Sequence, residues 1–356
     1  MEKKKSFATL LLTAMMLAAA CTQQDGESRK VIGEKAEQER PATECIVPIT
    51  PVKNQQASSL CWIHAMLATI ESEHLAMGDS VNLSADFVAR ALIEEEAERT
   101  YLSGGKLPIR LKGMAQDLIE LIQRHGLTHY DSFHSEANYG VVKRKAEMLA
   151  RRHARKRNGL TDMKRELCQL LDDEIHPELR YVFMLGTEYT PIEFAHSVCM
   201  DDEYVALTSF SHHPFGSPFV LEVPDNYGRH EFINLPLDSL MGHIEDALRH
   251  GHPVCWEGDT SEPSFSFEQG IAKMEDDSVQ VTQQSRQLMF ERLQTTDDHC
   301  MEIIGLARTK RGKRYFICKN SWGTDNAFAG LMYISESYLR AKTVAVWMSQ
   351  NAYYGE

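Results

Sequence analysis

The chain lacks several features that would point directly to a function. Its eight cysteines include no C-x-x-C pair, which removes the usual zinc-finger and dithiol signatures. Its 21 glycines are scattered and build no phosphate-cradling loop. No segment repeats and no tract is of low complexity. Positive charge is in deficit, 38 Lys and Arg against 51 Asp and Glu, for a formal net charge of −13. That balance argues against a general nucleic-acid binder. Beyond the N-terminus no apolar run is long enough to span a bilayer. What is present is ordinary for a soluble globular protein, 43% apolar and 25% charged residues. A length of 356 residues suffices for one large domain or two small ones. We expect no cofactor, no metal and no nucleic-acid partner; the sequence sets no oligomeric state.

The N-terminus reads as a targeting signal. MEKKK is a basic n-region and Phe7–Ala20 an apolar h-region, too short to cross a bilayer comfortably. Small residues then run directly into Cys21. LAAAC resembles the lipobox of bacterial lipoproteins, in which the cysteine becomes the lipidated N-terminus. The resemblance implies a signal peptide over 1–20, lipidation at Cys21, and an extracytoplasmic protein anchored to a bacterial membrane. An ordinary secretory signal is the alternative. Residues 21–45 read as a polar tether. Export would permit disulfides, but the sequence selects no pairing.

Two kinds of local pattern divide the rest. Ile63, Met66, Leu67 and Ile70 fall at i, i+3, i+4 and i+7 and predict a helix over 61–77. NLSADFVARALIEEEAER predicts a second, with Ser84 as N-cap. A third runs from Met114 to His125 and stops at Gly126. Residues 141–176 are charged and helical, and 190–200 make a short helix. After Asp202 the character changes. YVALTSF, FVLEVP, HPVCWEG, CMEIIGLA, YFICKNSW and LMYIS are short β-rich runs, interrupted by the amphipathic LDSLMGHIEDALRHG. Helices first and strands second predict an α+β arrangement of two lobes, with a cleft between them as the natural ligand site.

Cys61 opens the first helix, where backbone N–H groups favour a thiolate. A thiolate nucleophile needs a base that can later protonate a leaving amine, and histidine suits this near neutral pH. Of fifteen histidines, His299 begins CMEIIGLA, while Asn320 closes YFICKNSW, with the turn-like TKRGKR between. An antiparallel hairpin would make His299 and Asn320 neighbours. The amide could then orient the imidazole, and Trp322 could cover that bond from water. Gln55, upstream of the cysteine, could donate to a developing oxyanion alongside the Cys61 N–H. Taken singly, Cys61 reads as a structural cysteine, His299 as a satisfied polar residue and Asn320 as a turn residue. Their joint order argues for chemistry.

VKNQ, then CW, then DH and KNSWG far downstream resemble the papain-like cysteine peptidases, and within them the bleomycin hydrolase and aminopeptidase C branch. NLSADFVARA, DDEYVALTSFSHHPF, VPDNY, PVCWEGDTSE and TTDDHCMEIIG extend the resemblance from about Pro48 to Gln350. It implies a papain-like two-lobe fold over 46–350: a mainly helical lobe (46–130), a helical insertion (131–205) and a β-rich, barrel-like lobe (206–350), with a tail at 351–356. It implies a thiol peptidase with Cys61 as nucleophile, His299 as base then acid, Asn320 as orienter and Gln55 in the oxyanion hole. The substrate would be a peptide, with aminopeptidase action on short peptides favoured. A papain-fold binding protein without catalysis, an endopeptidase and an acyl transferase using the same triad are the alternatives.

Three departures stand out. Ser59 occupies a position where the branch usually has glycine, so a Cβ could crowd the loop or demand altered dihedrals. IHAM replaces the usual serine-containing helix start and places His64 one turn in. The chain ends NAYYGE, so Glu356 would have to supply the terminal carboxylate that pairs with a substrate amine in several branch members. Outside the resemblance, residues 142–157 form a basic stretch that reads as a solvated helix face paired with acidic neighbours, with a nucleic-acid or anionic-surface patch as the alternative. His212 and His213 are adjacent, and neighbours on a strand point to opposite faces, so no shared metal is expected. Asp297 and Asp298 could shift the base or order its loop.

Overall fold

The computed structural model describes residues 40–184 and 186–355. The chain divides after Pro41, and every element below lies in the unit from Ala42 onward. Residues 1–20, Cys21 and Glu356 lie outside the described residues, as does most of the tether. Residues 42–45 are not tether: they open β1 (Ala42–Ile46), which pairs antiparallel with a core strand. Its side chains stay largely exposed, so no hydrophobic alternation announces it.

Five helices follow: α1 (Cys61–Ala76), α2 (Ala85–Leu102), α3 (Ala115–His125), α4 (Tyr139–Lys156) and α5 (Leu160–Glu174). The Ser84 hydroxyl accepts the Phe87 N–H at the start of α2, and Gly126 ends α3 at φ 85°, the left-handed backbone that favours glycine. In α1 one apolar stripe understates the burial. Every residue from Trp62 to Glu73 except His64 is buried, because the helix is sandwiched between the other helices and the sheet. A hairpin of β2 (Val182–Met184) and β3 (Thr187–Tyr189) leads to α6 (Pro191–His196).

The remainder builds one large sheet: β4 (Tyr204–Thr208), β5 (Pro218–Val220), β6 (Glu231–Asn234), α7 (Leu237–Arg249), β7 (Val254–Gly258), β8 (Phe265–Ser266), β9 (Ile271–Ala272), α8 (Gln283–Glu291), β10 (His299–Arg308), β11 (Arg314–Lys319), β12 (Leu331–Ser335), α9 (Glu336–Lys342), β13 (Thr343–Ser349) and α10 (Gln350–Tyr354). The strand path runs β5-β6-β4-β13-β7-β10-β11-β12-β9-β8, with β1 also on β10. It is an open path, so the barrel-like lobe is not a closed barrel. Its two ends are only three and two residues long, and one carries Pro218, which blunts the edge against further pairing.

The centre of this sheet is buried on both faces. Cys255, Cys300, Ala345 and Trp347 pack under α1 with Ile63, Met66 and Leu67. On the other face Val254, Trp256, Met301, Ile303 and Phe316 pack against Leu240, Met241, Ile244 and Leu248 of α7. Strand β10 crosses the middle: its first half pairs with β7, its second with β1, and β11 lies on its other side. Where β10 passes from β7 to β1, a Cβ on Gly305 would stand 2.4 Å from the Cys45 carbonyl oxygen, so only glycine fits without movement. The long strand carries its first residue, His299, to the edge of the cleft beside the N-terminus of α1.

Candidate active site

The geometry begins with one extra residue. In the outer part of the β10–β11 hairpin, Leu306 faces Phe316 and Arg308 faces Arg314. A bulge between Ile303 and Gly305 shifts the inner part by one, to Glu302 facing Lys319. One step further inward, Asn320 then lies opposite Met301, on the same face as His299. Without the bulge Asn320 would oppose Glu302, on the other face. The Nε2 of His299 meets the Oδ1 of Asn320 at 2.8 Å, buried from water.

That contact sets the tautomer. The Ser321 N–H also donates to Asn320 Oδ1, at 2.7 Å, so this atom is an oxygen and His299 must donate through Nε2–H. The Nδ1 of His299 is left as the basic nitrogen. Trp322 tilts over the imidazole with ring centroids 4.5 Å apart, and Phe265 and Phe267 stand against Trp322 in turn.

Cys61 is the first residue of α1, and the Leu60 cap offers it no side-chain acceptor. The start of a helix carries partial positive charge, which favours a thiolate there. The Cys61 thiol is held well below the ordinary cysteine range. The largest cause is a hydrogen bond with the Cys300 side chain; burial opposes it, and the His299 imidazole adds a hydrogen bond and charge attraction. Cys300 itself is pushed well up, by burial first and then by its bond to Cys61. The two neighbouring thiols are thus shifted in opposite directions. Nothing in the residue order marks Cys300, which stands beside Cys61 only because it follows His299 on β10.

Gln55 is buried in the same cleft. Its Oε1 accepts the Ser321 hydroxyl at 2.6 Å, its backbone N–H donates to the Ser321 carbonyl at 2.7 Å, and its Nε2 donates to the Ser58 carbonyl at 2.7 Å. One Nε2 hydrogen is spent there; the second is available to a ligand. The cleft encloses about 240 Å³ and brings together Gln55, Cys61, His299, Cys300 and Trp322 with Lys112, Asp225, Glu257, Asp297 and Asp298. Three of the four residues singled out by their order, Gln55, Cys61 and His299, therefore line one cavity, and Asn320 sits behind His299.

Ser59 lines this cleft but is absent from the residues with positive φ. Its Cβ therefore demands no unusual dihedrals. His64 points away, toward Lys53 and Lys319. Burial, then those two lysines, brings its pKa down to about 3, so it is a neutral imidazole and no second base. Asp297 orders a loop: its Oδ2 accepts the Asp225 N–H at 2.7 Å.

The expectation for His212 and His213 needs correction. They sit in a turn, not a strand, and both imidazoles reach Glu222, at 3.1 and 2.6 Å. Among the described residues these three bring metal-binding side chains together. The surroundings oppose a metal. Gln287 Oε1 accepts the Ser211 N–H at 2.7 Å, so Gln287 Nε2 must donate to His212 Nδ1, at 3.0 Å. His212 then carries its proton on Nε2, toward Glu222, where a metal ligand needs a free lone pair and an acceptor behind it.

Comparisons with known proteins agree with this architecture. Residues 182–353 match a family model described as Peptidase C1-like family; the match takes in His299 and Asn320 but not Gln55 or Cys61. PepW from Lactobacillus rhamnosis HN001 (DR20) superimposes with a TM-score of 0.67 at 17% identity, over 98% of this chain and 93% of that one. A structure from work on the mite allergens Blo t 1 and Der p 1 gives 0.44 at 14% identity, over 85% and 67%. No curated protein matches in sequence. The fold is α+β and papain-like, with helices on one side of the cleft and the large mixed sheet on the other. Among the described residues no helix is long and apolar enough to cross a membrane.

Proposed function

We propose that the protein is a cysteine peptidase that hydrolyses peptide bonds through an acyl-enzyme on Cys61. The observation that carries this is the polarity of His299. Its Nε2–H is committed to Asn320, so its basic nitrogen is the one left for Cys61, whose thiol is already lowered. The Cys61 thiolate adds to the scissile carbonyl. The oxyanion takes hydrogen bonds from the Cys61 N–H and the free Nε2–H of Gln55. The His299 imidazolium gives its proton to the departing amine, leaving a thioester. Neutral His299 then takes a proton from water, which attacks the thioester and releases the acid and Cys61.

Aminopeptidase action on short peptides is the specificity we favour, from the likeness of the sequence to the aminopeptidase C branch. We place the protein outside the cytoplasm, held to a bacterial membrane by lipid on Cys21. Both parts have direct tests. Fluorogenic aminoacyl amides, with the N-terminus free or acetylated, are expected to be cleaved faster when free. Cys61→Ala is expected to lose on the order of 10³-fold or more in turnover. Equal turnover by wild type and Cys61→Ala ends the peptidase reading. Cys21→Ser should move the protein from the membrane fraction to the soluble one in a producing bacterium, and retention in the membrane fraction counts against the anchor.

A further inference from the structure

Glu257 stands at the middle of the sheet, facing Cys300 on β10 and Ala345 on β13. Its side chain therefore shares the face of Cys255 and Cys300, under the start of α1. It is 2% exposed, yet it lines the cleft that holds Cys61 and His299. Its Oε2 has no hydrogen-bond partner. A buried, unpartnered carboxyl oxygen costs stability, and its presence calls for a reason.

The surroundings supply one. Asp225 and Asp297 line the same cavity, and both are raised with Glu257 itself, burial being the first cause in each case. The lysine of this cavity, Lys112, bonds Asp225 at 3.0 Å and makes no bond to Glu257. Four carboxyl groups, Asp225, Glu257, Asp297 and Asp298, thus share this cavity with one lysine. Burial favours the protonated form of Glu257; a cation seated beside it would favour the carboxylate, whose unpartnered Oε2 could then accept a donor. An ammonium supplies both, with three N–H donors on a compact charge.

Resting on the peptidase reading, we propose that Glu257, backed by Asp225, forms an acidic subsite beside Cys61 that seats an ammonium group of the peptide substrate. Two sources carry that group: the free N-terminus of a short peptide, or a lysine side chain next to the scissile bond. In either case the cation pairs with Glu257 while the adjoining carbonyl lies against Cys61. The subsite selects substrate and positions it; bond cleavage stays with Cys61 and His299.

The test has two arms. In the first, Cys61 is modified by 2-aminoethyl methanethiosulfonate or by its neutral methyl counterpart. Each forms a mixed disulfide as sulfinate leaves, and both are read by peptide mass mapping of the full chain. Wild type is expected to favour the cationic reagent, and Glu257→Gln to cut that preference about 10- to 100-fold. Should the isosteric variant fail to fold, Asp225→Asn is expected to cut it in the same direction. An unchanged reagent ratio overturns the subsite. In the second arm, Leu-, acetyl-Leu- and acetyl-Lys-amides are compared. Preference for free Leu assigns the N-terminus and preference for acetyl-Lys the side chain; loss of that preference in Glu257→Gln supports the subsite, and its persistence overturns it. A changed reagent ratio with no amide cleaved by wild type sinks the peptidase reading while leaving the subsite standing.

Discussion

Glu71 in α1, Glu257 in β7 and Glu302 in β10 are almost wholly withdrawn from solvent, and the surroundings of the first two are opposite. Glu71 is fully satisfied. Its Oε1 takes the Lys53 ammonium at 2.5 Å and the Leu83 N–H at 2.6 Å, and its Oε2 takes the Thr50 hydroxyl. Thr50 in turn accepts Lys319 at 2.9 Å. This network ties α1 to β11 and to the loop that leads to Gln55. Glu257 has no such partners. A buried charge that is paired holds elements together; a buried carboxyl left unpaired, at a cavity wall, marks a place for something from outside. Composition treats the two residues alike, and only the register of the chain tells them apart.

The largest effect expected from breaking this contrast is on stability. Glu71→Ala strands the Lys53 cation and should cost about 3–5 kcal/mol. Glu257→Leu removes an unsatisfied oxygen and should leave stability unchanged or raise it by about 1–3 kcal/mol. Urea unfolding of both variants decides the matter: similar losses for the two would erase the distinction between structural and site carboxyls.

The pH dependence of stability sharpens the same point on Asp225. Burial raises its pKa to about 6; the hydrogen bond from Lys112 opposes this and Asp297 adds to it. Between about 3.8, the ordinary aspartate value, and 6, the folded protein holds a proton that the unfolded chain has lost. The contribution of Asp225 is therefore fully present below the lower value, fades as pH rises through this window and stays lost above it. Melting temperatures of wild type measured from pH 4 to 7 should show that decline, and Asp225→Asn should flatten it. An identical slope in the variant would assign the window to another group.

How far these features were legible in the residues differs by the distance over which each is made. The hairpin joining His299 to Asn320 is local, and its two strands and turn could be read from TKRGKR and its apolar flanks. The bulge at residue 304 could not: it places Asn320 on the face of His299, yet it is set by how β1, β7 and β11 share β10. Helices α2 and α3 announced themselves through Ser84 and Gly126. Strand β13, central in the sheet, was hidden because it follows α9 with no intervening turn residue. Glu257 and Cys300 depend on the pairing of strands some forty residues apart in the chain, which no periodicity encodes. The gap between legible and hidden therefore follows contact order more than burial.

Cys300 is the next place to press, with a smaller and purely kinetic effect. Its hydrogen bond is the largest influence lowering the Cys61 thiol. Cys300→Ala should move the pH profile of Cys61 alkylation by iodoacetamide toward higher pH, while His299 and the α1 N-terminus still keep the sulfur below a free thiol. Far-ultraviolet circular dichroism should be unchanged, since alanine fits a site of this size. An alkylation profile that does not move would leave His299 as the dominant influence on the nucleophile and make Cys300 ordinary packing.

The smallest effect belongs to charges that neither network nor cleft uses, and it serves as the control for the others. The basic face of α4 is paired at the surface: Lys145 with Glu174, Arg151 with Glu147, and Arg152 with Glu166. These side chains remain well exposed, so water and salt compete with each pair. Arg152→Ala should change unfolding free energy by no more than about 0.5 kcal/mol and leave the reagent preference at Cys61 where it was. A loss as large as that of Glu71→Ala would mean that pairing alone, whatever its depth, sets the worth of a charge here, and the contrast between Glu71 and Glu257 would lose its basis.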